Sequence, residues 1–150
     1  MCGCYNGADE ESKETASHAS SYVAANWPAP LVWSGFEVGV AVQSGGRLSS
    51  CAPASNPCRA ALENFEGGPN KSRFSWDPLT TLAAVRGAAG AHCSHCTNCT
   101  GHNVIDQDTG LNSWAGGGRA GLQKYLVLDD ATAASDALDE LLCAAPRTKE

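Results

Sequence analysis

Residues 31–46 read LVWSGFEVGVAVQSGG and residues 72–87 read SRFSWDPLTTLAAVRG. In the first stretch Leu31-Val32-Trp33 is a short apolar run broken at Gly35, the pattern of a buried strand. Val38, Val40 and Val42 then fall at every second position, which suits another strand, although the segment is short enough for a helical turn ending at Gly45-Gly46. In the second stretch Asp77-Pro78 supplies a helix N-cap and a proline at the first helical position. Leu79, Leu82 and Ala83 form one face of that helix, and Gly87 ends it. Strand signals alternating with helix signals make the fold class α/β.

The flanking sequence keeps that alternation. Asn56-Pro57 is a second cap-and-proline pair, with Gly67-Gly68 closing its helix. Upstream, Ala16, Ala19, Ser20, Val23 and Trp27 recur at helical spacing until Pro28. Asn103–Asp106 and Tyr125–Leu128 read as strands separated by the loop Gly116-Gly117-Gly118. A last helix starts near Asp130, presents Ala134, Leu138, Leu141 and Leu142, and stops at Pro146. Residues 1–12 are small and polar, so the expected division is a flexible segment over 1–15, one domain over 16–146 and a tail over 147–150. The strands are few, and nothing in the local pattern pairs the first of them.

Composition narrows the function classes. The chain has 150 residues, one domain's worth, and its 43% hydrophobic content excludes wholesale disorder. Ten Lys+Arg against sixteen Asp+Glu give a net charge of −6, which argues against nucleic acid as a partner. No apolar run reaches the roughly 18 residues of a membrane span, and the start has no basic or apolar leader; the expected location is the cytoplasm, without a membrane partner. In that compartment the eight cysteines are expected as free thiols or metal ligands rather than as an extensive disulfide framework.

Four places carry candidate chemistry. Residues 91–102, AHCSHCTNCTGH, gather Cys93, Cys96, Cys99, His92, His95 and His102. Thiolate and imidazole donors at CxxC spacing suit tetrahedral zinc, with Cys93, Cys96, Cys99 and His102 as one possible ligand set; the alternative is a surface loop or a local disulfide. Residues 106–110, DQDTG, open like a calcium loop, but Leu111 and Gly117 occupy the positions that need Gly and Glu, so a hairpin turn is expected. Asp77 is by local rules a helix cap, and a carboxylate at a loop end also suits a hard divalent cation. Glu37 is the lone acid of an apolar stretch, for which Arg47, Arg59, Arg73 or Arg86 is the expected partner.

LVWSGFEVGVAVQSGG, NPCRAALENF at residues 56–65 and SRFSWDPLTTLAAVRG, in this order and spacing, resemble the C-terminal half of the inosine/uridine-preferring nucleoside hydrolase family. GHNVIDQDTGLNSW, QKYLVL and the closing DELLCAAP are similar to that family's last strands and helix, so the resemblance spans roughly residues 16–146. It implies an α/β fold with a mainly parallel central sheet and hydrolysis of the N-glycosidic bond of ribonucleosides to base and ribose. It also implies a calcium ion holding the ribose hydroxyls and the attacking water. Asp77 matches the calcium-ligand aspartate of the family's DPL segment. Trp76 stands where better-studied members place a histidine that assists the leaving base, and Glu10 falls near the substrate-binding Glu-x-Asn, with Ser12 in place of the Asn.

The family's N-terminal DxDxxxDD signature, source of the base and most calcium ligands, does not occur in these 150 residues. The expectation is therefore a truncated nucleoside hydrolase-like chain, with its N-terminal half missing, weakly active or inactive alone. Its partners would be a ribonucleoside and either a separate N-terminal half or further copies of itself. The competing expectation is a non-catalytic zinc-binding or interaction module built on residues 92–102.

Overall fold

The computed structural model describes residues 10–97, 99–117 and 122–144, without the side chains of residues 10–13. Helices and strands are interspersed along the described residues: α1 (Glu10–Asn26), β1 (Leu31–Trp33), α2 (Phe36–Val40), β2 (Gln43–Ser44), α3 (Leu48–Cys51), α4 (Pro57–Glu66), β3 (Arg73–Phe74), α5 (Trp76–Gly90), β4 (Cys93–His95), β5 (His102–Ile105), β6 (Asn112–Ala115), β7 (Gln123–Leu128) and α6 (Ala131–Leu142). The largest sheet has three strands in the order β1-β7-β4, and two further sheets have two strands each. No helix among the described residues is long and apolar enough to cross a membrane.

The described residues fall into two compact units. Of the described residues, one unit takes those up to Phe36 together with His95–Val127, and the other takes Glu37–Ser94 with those after Val127. In the first unit β1 finds the partner that no local pattern announced: it pairs in parallel with β7, Leu31 opposite Gln123 and Trp33 opposite Tyr125. Gln123 is buried and bonded on every side. Its Oε1 accepts from Trp33 Nε1 at 2.8 Å and Asn103 N at 2.9 Å, while its Nε2 donates to Ala24 O at 2.9 Å. A buried amide with these partners avoids the desolvation cost of an unpaired one and ties α1, β1 and β5 to β7.

Helix α1 begins at Glu10, inside the segment expected to be flexible, and buries a different face from the one the spacing suggested. Ser17 and Ala24 are buried, whereas Val23 and Trp27 are exposed. Small residues seven apart let α1 sit close against its neighbours, and the larger apolar side chains stay outside. Asp106 shapes the β5–β6 hairpin as the DQDTG reading anticipated. Its Oδ1 accepts from Asp108 N, Thr109 N and the Thr109 hydroxyl, and these donors, the hydroxyl first, hold the carboxyl below its ordinary range.

Residues 36–40 form helix α2 and not a strand. Val38 within the helix and Val42 just past its end are both buried, while Val40 is only partly covered. Glu37 is exposed and, among the described residues, has no ion-pair partner; Arg59 pairs with Glu63 and Arg73 with Glu66 instead. Exposure removes the desolvation cost that made a partner necessary. On α6, Ala134 and Leu138 are buried as expected, but Leu141 is exposed and the buried position next to Leu138 is Asp139. Pro146 lies outside the described residues.

Among the described residues four cysteines form two disulfides where free thiols or metal ligands were expected. Cys51–Cys143 closes a separation of 92 residues and joins α3 to the end of α6. A loop of that length constrains the unfolded chain by about 4–5 kcal/mol in the chain-entropy picture. Cys96–Cys99 closes a separation of three. Cys58 is free and exposed, and Cys93 is free and buried.

Candidate functional site

Asp77 is reached through a chain of contacts within the second unit. Strands β2 and β3 pair antiparallel, Ser44 opposite Arg73, which carries the chain into α5 beside α2. Ser75 N donates to Val42 O at 2.9 Å and to Gly39 O at 3.2 Å. The Ser75 and Ser44 hydroxyls bond each other at 2.7 Å in a buried position, and Ser75 Oγ also donates to Arg73 O. Gly39 faces Trp76 so closely that a Cβ there would overlap the indole Cδ1 and lie 2.6 Å from the Trp76 Cα. Trp76 also packs at a tilt against Phe74, ring centroids 5.3 Å apart. Asp139 anchors the same region from α6: its Oδ1 accepts from Gly45 N at 2.6 Å.

Helix α5 therefore starts at Trp76, with Ser75 at the cap position. Asp77 is the second helical residue and not the N-cap that its proline suggested. Its side chain is exposed and, among the described residues, takes no hydrogen bond or ion pair. Trp76 is half-buried beside it. Glu10 opens α1, and its side chain and that of Ser12 lie outside the described residues, so the substrate-binding expectation for Glu10 lies there too.

A free carboxylate fits one corner of a calcium site and no more. Calcium takes six to eight oxygens, and among the described residues no group of three or more Asp, Glu, His or Cys is gathered closely enough to hold an ion. The side chains of the described residues do not by themselves make a calcium site.

The Cys/His segment is organised by sulfur chemistry. Cys96 and Cys99 are joined to each other, so in this state neither is the thiolate that zinc requires; the zinc expectation applies only to a reduced chain. Cys93 is buried, and burial, followed by the Asp129 charge, pushes its thiol above the ordinary range. His102 Nδ1 meets Gly117 O at 3.0 Å, an acceptor that requires the proton on that nitrogen. His92 adopts a positive φ of 55° and accepts from Asp129 N and Asp130 N through its carbonyl; His95 is exposed.

Sequence reading missed Asp139, Ser44 and Ser75, which fix the site without lining it. Only Asp139 left a trace, an acid directly beside an apolar position of α6. Comparison of the chain with protein-family models, with curated proteins and with solved structures finds no match in any of the three.

Proposed function

We propose that this chain is nucleoside hydrolase-like, built on the C-terminal part of that fold, and that Asp77 supplies one calcium ligand of a ribonucleoside-hydrolysing site whose other ligands lie outside these 150 residues. One observation supports the reading: segments remote in sequence that carry the resemblance meet in space. Gly39 of GFEVG abuts Trp76 of SWDPL, and Ser75 of the second segment bonds the Gly39 and Val42 carbonyls of the first. This packing leaves the Asp77 carboxylate exposed at a helix start, uncommitted to any structural bond among the described residues. Among the described residues no group of three or more Asp, Glu, His or Cys is gathered closely enough to hold calcium, so little or no hydrolysis is expected of the chain alone.

The test mixes the purified chain with a separately produced N-terminal half of a nucleoside hydrolase carrying DxDxxxDD, in calcium, with inosine or uridine, and reads free base. Release by the mixture but not by either half, reduced at least about tenfold by Asp77→Asn, is the expected result. Enzyme-like release by this chain alone would refute the shared site. A mixture that neither associates nor hydrolyses would remove the hydrolase reading.

A further inference from the structure

Cys96 and Cys99 are a CxxC pair on the connection between β4 and β5, and their two sulfurs sit in opposite environments. Cys96 is buried, and its Sγ accepts from the backbone N–H of Tyr125 at 3.2 Å. Cys99 is partly exposed, and its Sγ lies 2.7 Å from the carbonyl oxygen of Cys96. A donor at sulfur favours a thiolate, whereas an acceptor favours a protonated thiol. Cys96 N also donates to Tyr125 O, so strand β7 holds both the backbone and the sulfur of Cys96 in place. The bond itself spans a separation of only three residues, so opening it frees little of the chain.

We propose that Cys96–Cys99 is a thiol–disulfide exchange site that accepts two electrons from an external dithiol, with Cys99 the sulfur attacked and Cys96 the leaving thiolate. The incoming thiolate forms a bond to Cys99 Sγ, the Cys96–Cys99 bond breaks, and its electron pair leaves on Cys96, where the Tyr125 N–H stabilises it. The second thiol of the donor then attacks its own sulfur in the mixed disulfide. Cys99 is released and protonated, and the donor departs as a disulfide. By microscopic reversibility, in the oxidising direction the Cys99 thiolate attacks an external disulfide and the Cys96 thiolate then attacks Cys99 Sγ, closing the pair and expelling the donor as a dithiol.

The experiment equilibrates the full chain in buffers of reduced and oxidised dithiothreitol, followed by differential alkylation and mass spectrometry, with circular dichroism on the same samples. The expected result is complete, reversible opening of Cys96–Cys99 while Cys51–Cys143 stays closed and the spectrum is unchanged. Thiolate absorbance is then titrated in two single-cysteine variants. Cys96 in Cys99→Ser should ionise at least about one pH unit below Cys99 in Cys96→Ser. Two results would overturn the proposal: a pair that opens only together with Cys51–Cys143 and loss of structure, or variants that titrate at the same pH. The wild-type measurement decides even where a variant does not fold.

Discussion

Helices α4 and α5 both carry an Asx-Pro pair at or near their starts and use it in different ways. At α4 the pair is the cap: Asn56 is extended, its side chain accepts from Cys58 N at 2.9 Å and Arg59 N at 3.1 Å, and Pro57 is the first helical residue. At α5 the helix begins one residue before the pair. Leu79 N bonds Ser75 O, the Ser75 hydroxyl is spent on Ser44 and Arg73 O, and Asp77-Pro78 lies within the first turn. Proline is tolerated there because the first-turn N–H groups have no helical partner in any case. The start of α4 is set by its own side chains and that of α5 by Gly39, which admits Trp76. A carboxylate relieved of capping is free for another use, and that difference separates a structural pair from a functional candidate.

The largest effect should come from breaking the contact that sets α5. Gly39→Ala drives a Cβ into Trp76 side chain and backbone, so the helix start must shift, at a cost of about 3 kcal/mol read from the urea midpoint. If the variant melts like the wild type, Gly39 does not define that start. Next is Ser75→Ala, which leaves the buried Ser44 hydroxyl without its partner for about 2 kcal/mol. Adding Ser44→Ala should cost little more, because the orphaned group goes with it; strict additivity of the two losses would contradict the buried bond. Third, Asn56→Ala removes a true cap and should cost about 1 kcal/mol by thermal or urea unfolding. An unchanged midpoint would erase the distinction between the two helices.

The same contrast explains what the sequence made readable. Helix α4 was legible to within a residue because cap, proline and the left-handed Gly67 (φ 69°) that ends it all act locally. Helix α5 was legible as a helix, with Leu79 and Leu82 buried and Gly87 (φ 78°) breaking it, but its first residue depends on a contact with Gly39. Parallel pairing of β1 with β7 is a long-range contact that strand pattern cannot specify. Helix α2 was hidden because it is a single short turn, Phe36–Val40, in which alternating Val38 and Val40 read equally well as strand. Of the candidate site, Asp77 was visible and its freedom was not, since that freedom follows from Ser75 being engaged elsewhere. The sulfur cluster was visible too, but the partition of Cys96 and Cys99 from Cys93 depends on Tyr125, far along the chain.

Asp77→Asn is the smallest effect on stability and the most discriminating. Asparagine keeps the shape and hydrogen-bonding capacity of the side chain and removes its charge. If Asp77 capped α5 as Asn56 caps α4, either residue would serve and neither would matter to calcium. Exposed in the first turn and unpaired among the described residues, Asp77 contributes to the fold only through the positive end of the helix dipole, a term of about 0.3–1 kcal/mol at low salt that weakens as salt rises. The variant should therefore unfold within about 0.5 kcal/mol of the wild type at physiological salt, while base release in the complemented mixture falls at least about tenfold. A loss of stability equal to that of Asn56→Ala, with release unaltered, would make the two helix starts alike and return Asp77 to a structural role. Stability held and release lost would set the carboxylate apart as a group that the fold presents but does not need.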